Sequence, residues 1–152
     1  MTGSAFRFRL ERVRAVRERK EKLAQRELAS AISRQSSSAS ELRTADARLE
    51  HARDEQRSVA AEEKAVSATD LLARQTFLER VEAQRRLRVR ELEQREVEVA
   101  QRGAELTTAA SEHEMLNRLR ERHRGEHERE AARLEQGALD EIAVTGFRRS
   151  HA

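Results

Sequence analysis

The histidines near the end of the chain come nearest, by type and spacing, to a chemical motif. His123 and His127 lie four residues apart, so a helix would place both imidazoles on one face, with Glu126 close by. The zinc-protease motif that this spacing resembles requires glutamate directly after the first histidine, and Arg124 occupies that position. No third ligand follows, and the chain contains no cysteine. We therefore interpret the two histidines as part of a solvated polar helix face and predict no metal site.

Other catalytic patterns are missing from the sequence. Serines are numerous, but none lies in a nucleophile elbow or a triad arrangement, and there is no glycine-rich phosphate loop. A chain that is 39% charged and 3% aromatic also lacks the side chains to enclose an apolar pocket. We predict a protein that is not an enzyme and needs no cofactor.

The elements that carry these residues are predicted to be helices almost throughout. The 152 residues include no proline and five glycines, and Ala, Glu, Arg and Leu dominate, which is typical of coiled coils. Intrinsic disorder is the competing interpretation of so polar a chain, but helical periodicity argues against it. His113, which falls within this pattern, is interpreted as a tolerated polar interruption of a seam.

In the first half of the chain, most of the positions reached from Phe6 in steps of three or four carry an apolar or small residue, and the remainder are charged or glutamine. A heptad seam is predicted from this pattern, with a stutter where two four-residue steps follow each other, Lys20 to Ala24 to Leu28. The seam runs through Phe6, Leu10, Val13, Arg17, Lys20, Ala24, Leu28, Ala31, Gln35, Ser38, Leu42, Ala45, Leu49, Ala52, Gln56, Val59, Glu63 and Val66. Residues 66–70 then interrupt the pattern, and Ser67, Thr69 or Asp70 is expected to cap the next helix.

The second half carries a seven-residue ladder. It runs through Leu71, Leu78, Arg85, Leu92, Val99, Leu106, His113, Arg120, His127 and Leu134. Glycines 103, 125 and 137 soften a helix without ending it, and Gly146 is the expected stop. We predict an all-α fold, a long antiparallel two-helix coiled-coil hairpin forming one domain over residues 1–152. Helix one is expected over about 5–65, the turn over 66–70 and helix two over about 71–145, followed by a short tail.

This hairpin has a predicted register and a predicted overhang. Phe6 should lie near residue 128, so that helix two extends beyond the N-terminus by about 15 residues. Leu134, Leu139, Ile142, Ala143 and Phe147 are apolar in this overhang. Near the turn, Phe77 and Leu78 adjoin, and a two-helix seam cannot cover both, so one is expected to face outward as a contact site. A parallel homodimer of one long helix is the alternative use of the same seam.

Charge is concentrated at the N-terminus. Nine of the first 26 residues are Lys or Arg and three are Glu, whereas the net charge of the whole chain is only +3. A basic end implies an acidic partner. Weak nucleic-acid binding and a membrane-surface role for Phe6, Phe8 and Leu10 are alternatives, although interleaved acidic residues argue against a specific nucleic-acid site. No apolar run reaches the roughly 20 residues of a membrane span, so we expect a cytoplasmic protein without membrane insertion.

Three stretches of the chain resemble one known family. The opening FRFRLERV (Phe6–Val13), ARQTFLERVE (Ala73–Glu82) and the closing EQGALDEIAVTGFRR (Glu135–Arg149) are similar, in order and spacing, to the FliJ family of the bacterial flagellar export apparatus. This resemblance implies an antiparallel hairpin similar to the central stalk of rotary ATPases. It implies docking into the hexameric export ATPase, promotion of its ring assembly and activity, and a link to the cytoplasmic domain of the export gate. A role in escorting export chaperones is also ascribed to the family.

The resemblance also implies where the partners bind. The residues matching the ATPase-binding element are Arg7, Arg9, Leu10, Arg12, Val13 and Arg17. Those matching the export-gate face are Phe77, Val81, Gln84 and Arg88, with Leu49, Ala52 and Gln56 as geometric guesses for the facing helix. The implied location is the cytoplasm, peripheral at the inner-membrane flagellar basal body. The alternatives are the equivalent stalk of a virulence-type secretion system, a cargo or chaperone adaptor acting through Phe77, and a basic coiled coil that binds nucleic acid.

Overall fold

The computed structural model of the chain describes residues 5–61 and 66–150. Within these ranges two helices form, α1 (Glu11–Ala61) and α2 (Ala68–Ser150), with no strand and no cis peptide bond. The helices pack against each other, so the predicted all-α helical hairpin is confirmed.

Both helices start differently from the prediction. Helix α1 begins at Glu11 rather than near residue 5, because the carbonyl of Phe8 accepts a hydrogen bond from the Glu11 N–H at 3.2 Å and Phe8 itself is buried. Helix α2 begins at Ala68, within the predicted turn. The Ser67 hydroxyl accepts a hydrogen bond from the Thr69 N–H at 3.3 Å, so Ser67 is the capping residue. Seam position Glu63 lies outside the described residues.

Helix α2 also ends differently. It passes through Gly146 and continues to Ser150, so the predicted stop and tail are wrong. A glycine ends a helix when it adopts a left-handed backbone conformation, and no described glycine has a positive φ. Without that conformation and without a following proline, Gly146 lowers helix propensity but leaves the hydrogen-bond ladder intact.

The chain divides into two compact units. The turn unit is Leu23–Thr107, and the terminal unit combines Met1–Lys22 with Thr108–Ala152. In the turn unit the buried positions of the seam are all apolar: Ala31, Leu49, Ala52 and Val81. The half-buried positions follow the predicted pattern on both helices over most of this unit: Ala24, Leu28, Gln35, Ser38, Leu42, Ala45, Leu78, Arg85, Leu92, Val99 and Leu106. Nearer the turn the prediction is wrong, because Gln56 and Leu71 are exposed.

In the terminal unit the seam differs from the prediction on α1. Val13 and Lys20 are exposed, whereas Arg14 and Glu21 are half-buried at the positions that continue the regular heptad, so the predicted stutter is wrong. The hydrophobic pattern included Val13 because this residue is apolar. The seam here is instead formed by charged side chains that have partners on α2. On α2 the predicted ladder positions His113, Arg120 and His127 are half-buried, as expected.

The register of the terminal unit agrees with the prediction. The ring of Phe6 lies 5.8 Å from the ring of His127, one residue from the expected position 128. Beyond His127, the apolar side chains of the predicted overhang are exposed.

Candidate interaction surfaces

The arginines before and at the start of α1 form the most basic surface of the terminal unit. We call Arg7, Arg9 and Arg12 the N-terminal arginine surface. All three are exposed, line one shallow depression together with Phe6 and Arg120, and make no ion pair with any residue that the structure describes. Three guanidinium groups without an internal partner can each donate several hydrogen bonds to carboxylates of another molecule.

The other residues matched to the ATPase-binding element are placed less uniformly. Val13 is 44% exposed, while Leu10 is half-buried. The Arg17 guanidinium is engaged by the Glu112 carboxylate of α2. The structure therefore leaves Arg7, Arg9, Arg12 and Val13 accessible, whereas Arg17 contributes to holding the two helices together.

Two ring contacts hold the N-terminal segment against α2. Besides the Phe6–His127 contact, the Phe8 ring lies 6.0 Å from the His123 ring in an edge-on arrangement. The two histidines that suggested a metal motif therefore serve as packing partners for phenylalanines. The described residues contain no group of three or more side chains placed to hold a metal ion. The paired spacing of Phe6 and Phe8 with His123 and His127 was the signal that sequence reasoning missed.

A hydrogen-bonded chain of polar side chains crosses between the helices in the terminal unit. His113 Nδ1 lies 2.6 Å from a Glu21 carboxylate oxygen, and the Asn117 Nδ2 group lies 3.3 Å from His113 Nε2. The Arg14 guanidinium then donates to the Asn117 carbonyl oxygen at 3.5 Å. We call Arg14, Glu21, His113 and Asn117 the polar seam. An imidazole protonated only at Nδ1 satisfies both of its neighbours, and the seam thereby links α1 to α2 at two points.

Ion pairs within α1 continue this charged arrangement. Arg14 donates two hydrogen bonds to one Glu11 oxygen, at 2.6 and 3.0 Å, and this holds the pKa of Glu11 below its ordinary value. The pKa of Glu18 is lowered as well, first by a hydrogen bond from Lys22. Both carboxylates therefore remain charged over a wider pH range than free glutamate.

The residues matched to the export-gate face do not form one exposed stripe. Phe77 is 54% exposed, which confirms that one of Phe77 and Leu78 faces outward, and Leu78 is half-buried. Val81 is only 6% exposed, because it belongs to the seam of the turn unit. Gln84 is exposed, and Arg88 is half-buried.

Arg88 is held by two carboxylates. One is Glu41 of α1 and the other is Glu91 of α2, each 2.6 Å from the same Nη1 atom. These contacts, led by the hydrogen bond to Glu91, raise the pKa of Arg88. An incoming partner would therefore have to compete with two internal carboxylates for this guanidinium.

The facing residues of α1 near Phe77 are also only partly available. Leu49 and Ala52 are buried, and Gln56 is exposed. Ala52 and Gln56 line a shallow groove together with Asp70, Ala73, Arg74 and Phe77. Of the three geometric guesses, Gln56 is thus the one that presents a side chain beside Phe77.

These surfaces and the helices that carry them define the class of protein. It is an all-α helical hairpin whose described residues carry a basic surface, a polar seam and exposed apolar side chains. Neither described helix has a stretch apolar enough, over enough residues, to span a membrane.

Comparison with protein families gives the family. The family model of the flagellar FliJ protein matches residues 6–152, nearly the whole chain, so the chain belongs to the FliJ family. It is thereby a component of the flagellar export apparatus, and the family is a non-enzymatic structural and regulatory one. No curated protein and no solved structure matched the chain in the corresponding comparisons.

Proposed function

We propose that this protein is a non-catalytic stalk of the flagellar export apparatus. In this role it promotes ring assembly and activity of the export ATPase and links the ring to the cytoplasmic domain of the export gate, which flagellum assembly and motility require. It acts in the cytoplasm, at the periphery of the inner-membrane basal body. Membership of a flagellar family supports this over the equivalent role in a virulence-type system.

The N-terminal arginine surface is the observation that supports the proposed contact with the ATPase. Arg7, Arg9 and Arg12 are exposed around one depression and have no ion-pair partner among the described residues. Most other arginines near the seams are engaged, as Arg17 is with Glu112. Positive side chains without internal partners attract an acidic surface and raise the rate at which it is found.

The test is ATP hydrolysis by the cognate export ATPase, titrated with this protein. We expect wild type to stimulate hydrolysis and the triple variant Arg7→Glu, Arg9→Glu, Arg12→Glu to lose most of the stimulation. The matched control changes three exposed arginines of the turn unit by the same charge: Arg43→Glu, Arg86→Glu and Arg90→Glu. Equal loss in both triple variants would show that only overall charge matters, and it would contradict a contact at the N-terminus.

The contact proposed for the export gate is smaller than the resemblance implies. Phe77 and Gln84 are accessible and Arg88 is partly so, whereas Val81 is buried and supports the seam. We expect Phe77→Ala to weaken binding to the gate's cytoplasmic domain at least about tenfold, as loss of an aromatic anchor does. The control Val97→Ala removes another exposed apolar side chain of α2, 58% exposed and about five turns from Phe77, and should leave gate binding unchanged. Equal effects of the two substitutions would contradict a Phe77 site.

The second candidate function is an adaptor for export chaperones or cargo. The groove beside Phe77 favours it, since an exposed aromatic residue bordered by Gln56 and Arg74 suits a peptide or helix of another protein. If export chaperones bind wild type but not Phe77→Ala, and the protein leaves ATP hydrolysis unchanged, the adaptor role replaces the stalk role.

A further inference from the structure

The C-terminal part of α2 exposes more large apolar side chains than any function above requires. Leu134 is 71% exposed, Ile142 66% and Phe147 64%, and Leu139 and Val144 are exposed by 61% and 51%. Apolar side chains of this size crowded on one stretch of helix mark an interaction surface.

One face of this stretch has the pattern of a helix-packing surface. Leu134, Ala138 and Ile142 follow each other at steps of four, which keeps them within an arc of about 80° on a helix of 3.6 residues per turn. Ala131 and Thr145 fall within the same arc, and the Thr145 hydroxyl is satisfied by the Glu141 carbonyl at 2.8 Å. We call these five residues the C-terminal face. Ala138, a small residue between the larger Leu134 and Ile142, allows a second helix to approach closely.

We propose that the C-terminal face binds the C-terminal face of a second copy of this chain, in antiparallel orientation. The two-fold axis passes beside Ala138, which lies midway between Leu134 and Ile142. Each Leu134 then packs against Ile142 of the other copy, and the two Ala138 residues meet at the centre. A surface of this kind is self-complementary, as a two-fold interface requires.

The charges beside the C-terminal face select the antiparallel orientation. Glu130 and Arg148 are about five full turns apart, so they lie on the same side of the helix. They flank Ala138 at nearly equal distances, so an antiparallel pair brings Glu130 of one copy to Arg148 of the other. Neither side chain has an ion-pair partner among the described residues. In a parallel pair, Glu130 would instead lie at the level of Glu130 of the other copy, and Arg148 at the level of Arg148.

A second acid–base pair lies toward the side opposite to Glu130. Arg149 is five full turns from Ala131 and therefore lies within the arc of the C-terminal face, whereas Glu128 lies beside it, and the two are at nearly equal distances before and after Ala138. In the single chain Glu128 pairs with Arg124 at 2.9 Å, a pair that is largely exposed and therefore contributes little. Exchange of Arg124 for Arg149 of a second copy consequently costs little, and an antiparallel pair places Glu128 of one copy near Arg149 of the other.

The experiment is sedimentation equilibrium of the full-length protein over a range of concentrations. We expect the average mass of wild type to rise from 17.5 kDa toward twice that value as concentration increases. Ile142→Asp should raise the dissociation constant at least about tenfold, because the charge would be placed against Leu134 of the other copy. Phe147→Asp is the matched control, since Phe147 lies on the side of the helix opposite to Ala138 and should leave the dissociation constant unchanged.

Charge exchange tests the orientation independently of folding. Glu130→Lys alone and Arg148→Glu alone should each weaken self-association about fivefold, since each puts like charges together on both sides of the two-fold axis. An equal mixture of the two variants restores attraction at both contacts, so its average mass should return to that of wild type. Circular dichroism should report unchanged helix content for every variant.

Three outcomes would overturn the proposal. The first is a wild-type mass that stays at 17.5 kDa at all concentrations, and the second is equal weakening by Ile142→Asp and Phe147→Asp. The third is a mixture of the charge variants that associates no better than either variant alone. Self-association is measured without the ATPase, so its failure would leave the stalk proposal standing.

Discussion

The pair formed by Glu21 and His113 provides the sharpest test of the polar seam. The side chains are only 22% and 15% exposed, and their nearest atoms are 2.6 Å apart. The perturbation is a double-mutant cycle, Glu21→Leu and His113→Leu singly and together. Leucine suits these heptad positions, so the cycle compares a polar contact with an apolar contact at the same place.

The expected changes in the free energy of unfolding follow from the burial of the two side chains and from the partner that each substitution leaves without a hydrogen bond. A hydrogen bond to a charged group contributes about 1.5–3 kcal/mol when buried, and partial exposure reduces this, so each single variant should lose about 1–2 kcal/mol of the free energy of unfolding. Glu21 makes a further interaction besides this one, which places Glu21→Leu at the upper end. The double variant leaves neither group unpaired. Its free energy of unfolding should lie between the wild-type value and about 2 kcal/mol above it. The coupling energy between the two positions is then about 2 kcal/mol or more.

The assay is chemical denaturation followed by circular dichroism, with hydrogen exchange to locate the change. The control cycle uses Glu114 and Arg118, whose side chains are 54% and 79% exposed and 2.8 Å apart in the same unit. Replacing these with alanine should give a coupling energy of about 0.5 kcal/mol at most. Purely additive effects at Glu21 and His113 would refute the reasoning, because they would mean that the pair does not form in solution.

Three further predictions concern the helices themselves. Gly103→Ala and Gly125→Ala should each raise the free energy of unfolding by about 0.5–1 kcal/mol, because a Cβ atom meets nothing within 4 Å at either site; a loss of stability in denaturation would contradict this. Val81→Ala should lower it by about 1–3 kcal/mol, since Val81 is 6% exposed, and an unchanged denaturation midpoint would place Val81 outside the seam. The pKa of Glu98 lies below its ordinary 4.5, first because Arg34 donates a hydrogen bond to the carboxylate. A lowered folded-state pKa stabilises the fold above pH 4.5, and this contribution is lost as the pH falls through the folded-state pKa. Glu98→Gln should therefore be less stable than wild type at neutral pH and equal to it in strong acid, and a pH-independent difference would be the contrary result.

The periodicity of the chain predicted much of the architecture. The ladder from Leu78 to His127, the buried positions Ala31, Leu49 and Ala52, and the outward position of one of Phe77 and Leu78 all follow from spacing, because a two-helix seam admits one face of each helix. The predicted register also placed Phe6 within one residue of its observed neighbour His127. The candidate sites were less predictable, because periodicity does not indicate which of the exposed residues contact a partner.

The failures share a physical cause, which is that a polar residue can occupy a seam position when its partner is across the interface. The predicted seam included the apolar Val13 in place of Arg14 and Glu21, because a hydrophobic pattern does not register the polar contacts that these two residues make with Asn117 and His113 of α2. Gly146 failed as a stop for a related reason. Its effect depends on the backbone conformation that it adopts, and the sequence does not fix that conformation.

The sequence by itself determined that the chain is helical, that two helices pair along a seven-residue repeat and that the basic charge is concentrated near the N-terminus. These properties are local, since they depend on helix propensity, spacing and the count of charges in one segment. Only the tertiary structure decided which arginines remain available, because Arg17 is engaged by Glu112 while Arg7, Arg9 and Arg12 have no ion-pair partner among the described residues. It likewise decided that Val81 is covered and Phe77 is exposed. Both distinctions depend on what the opposite helix places beside a side chain, and a single segment of sequence does not contain that information.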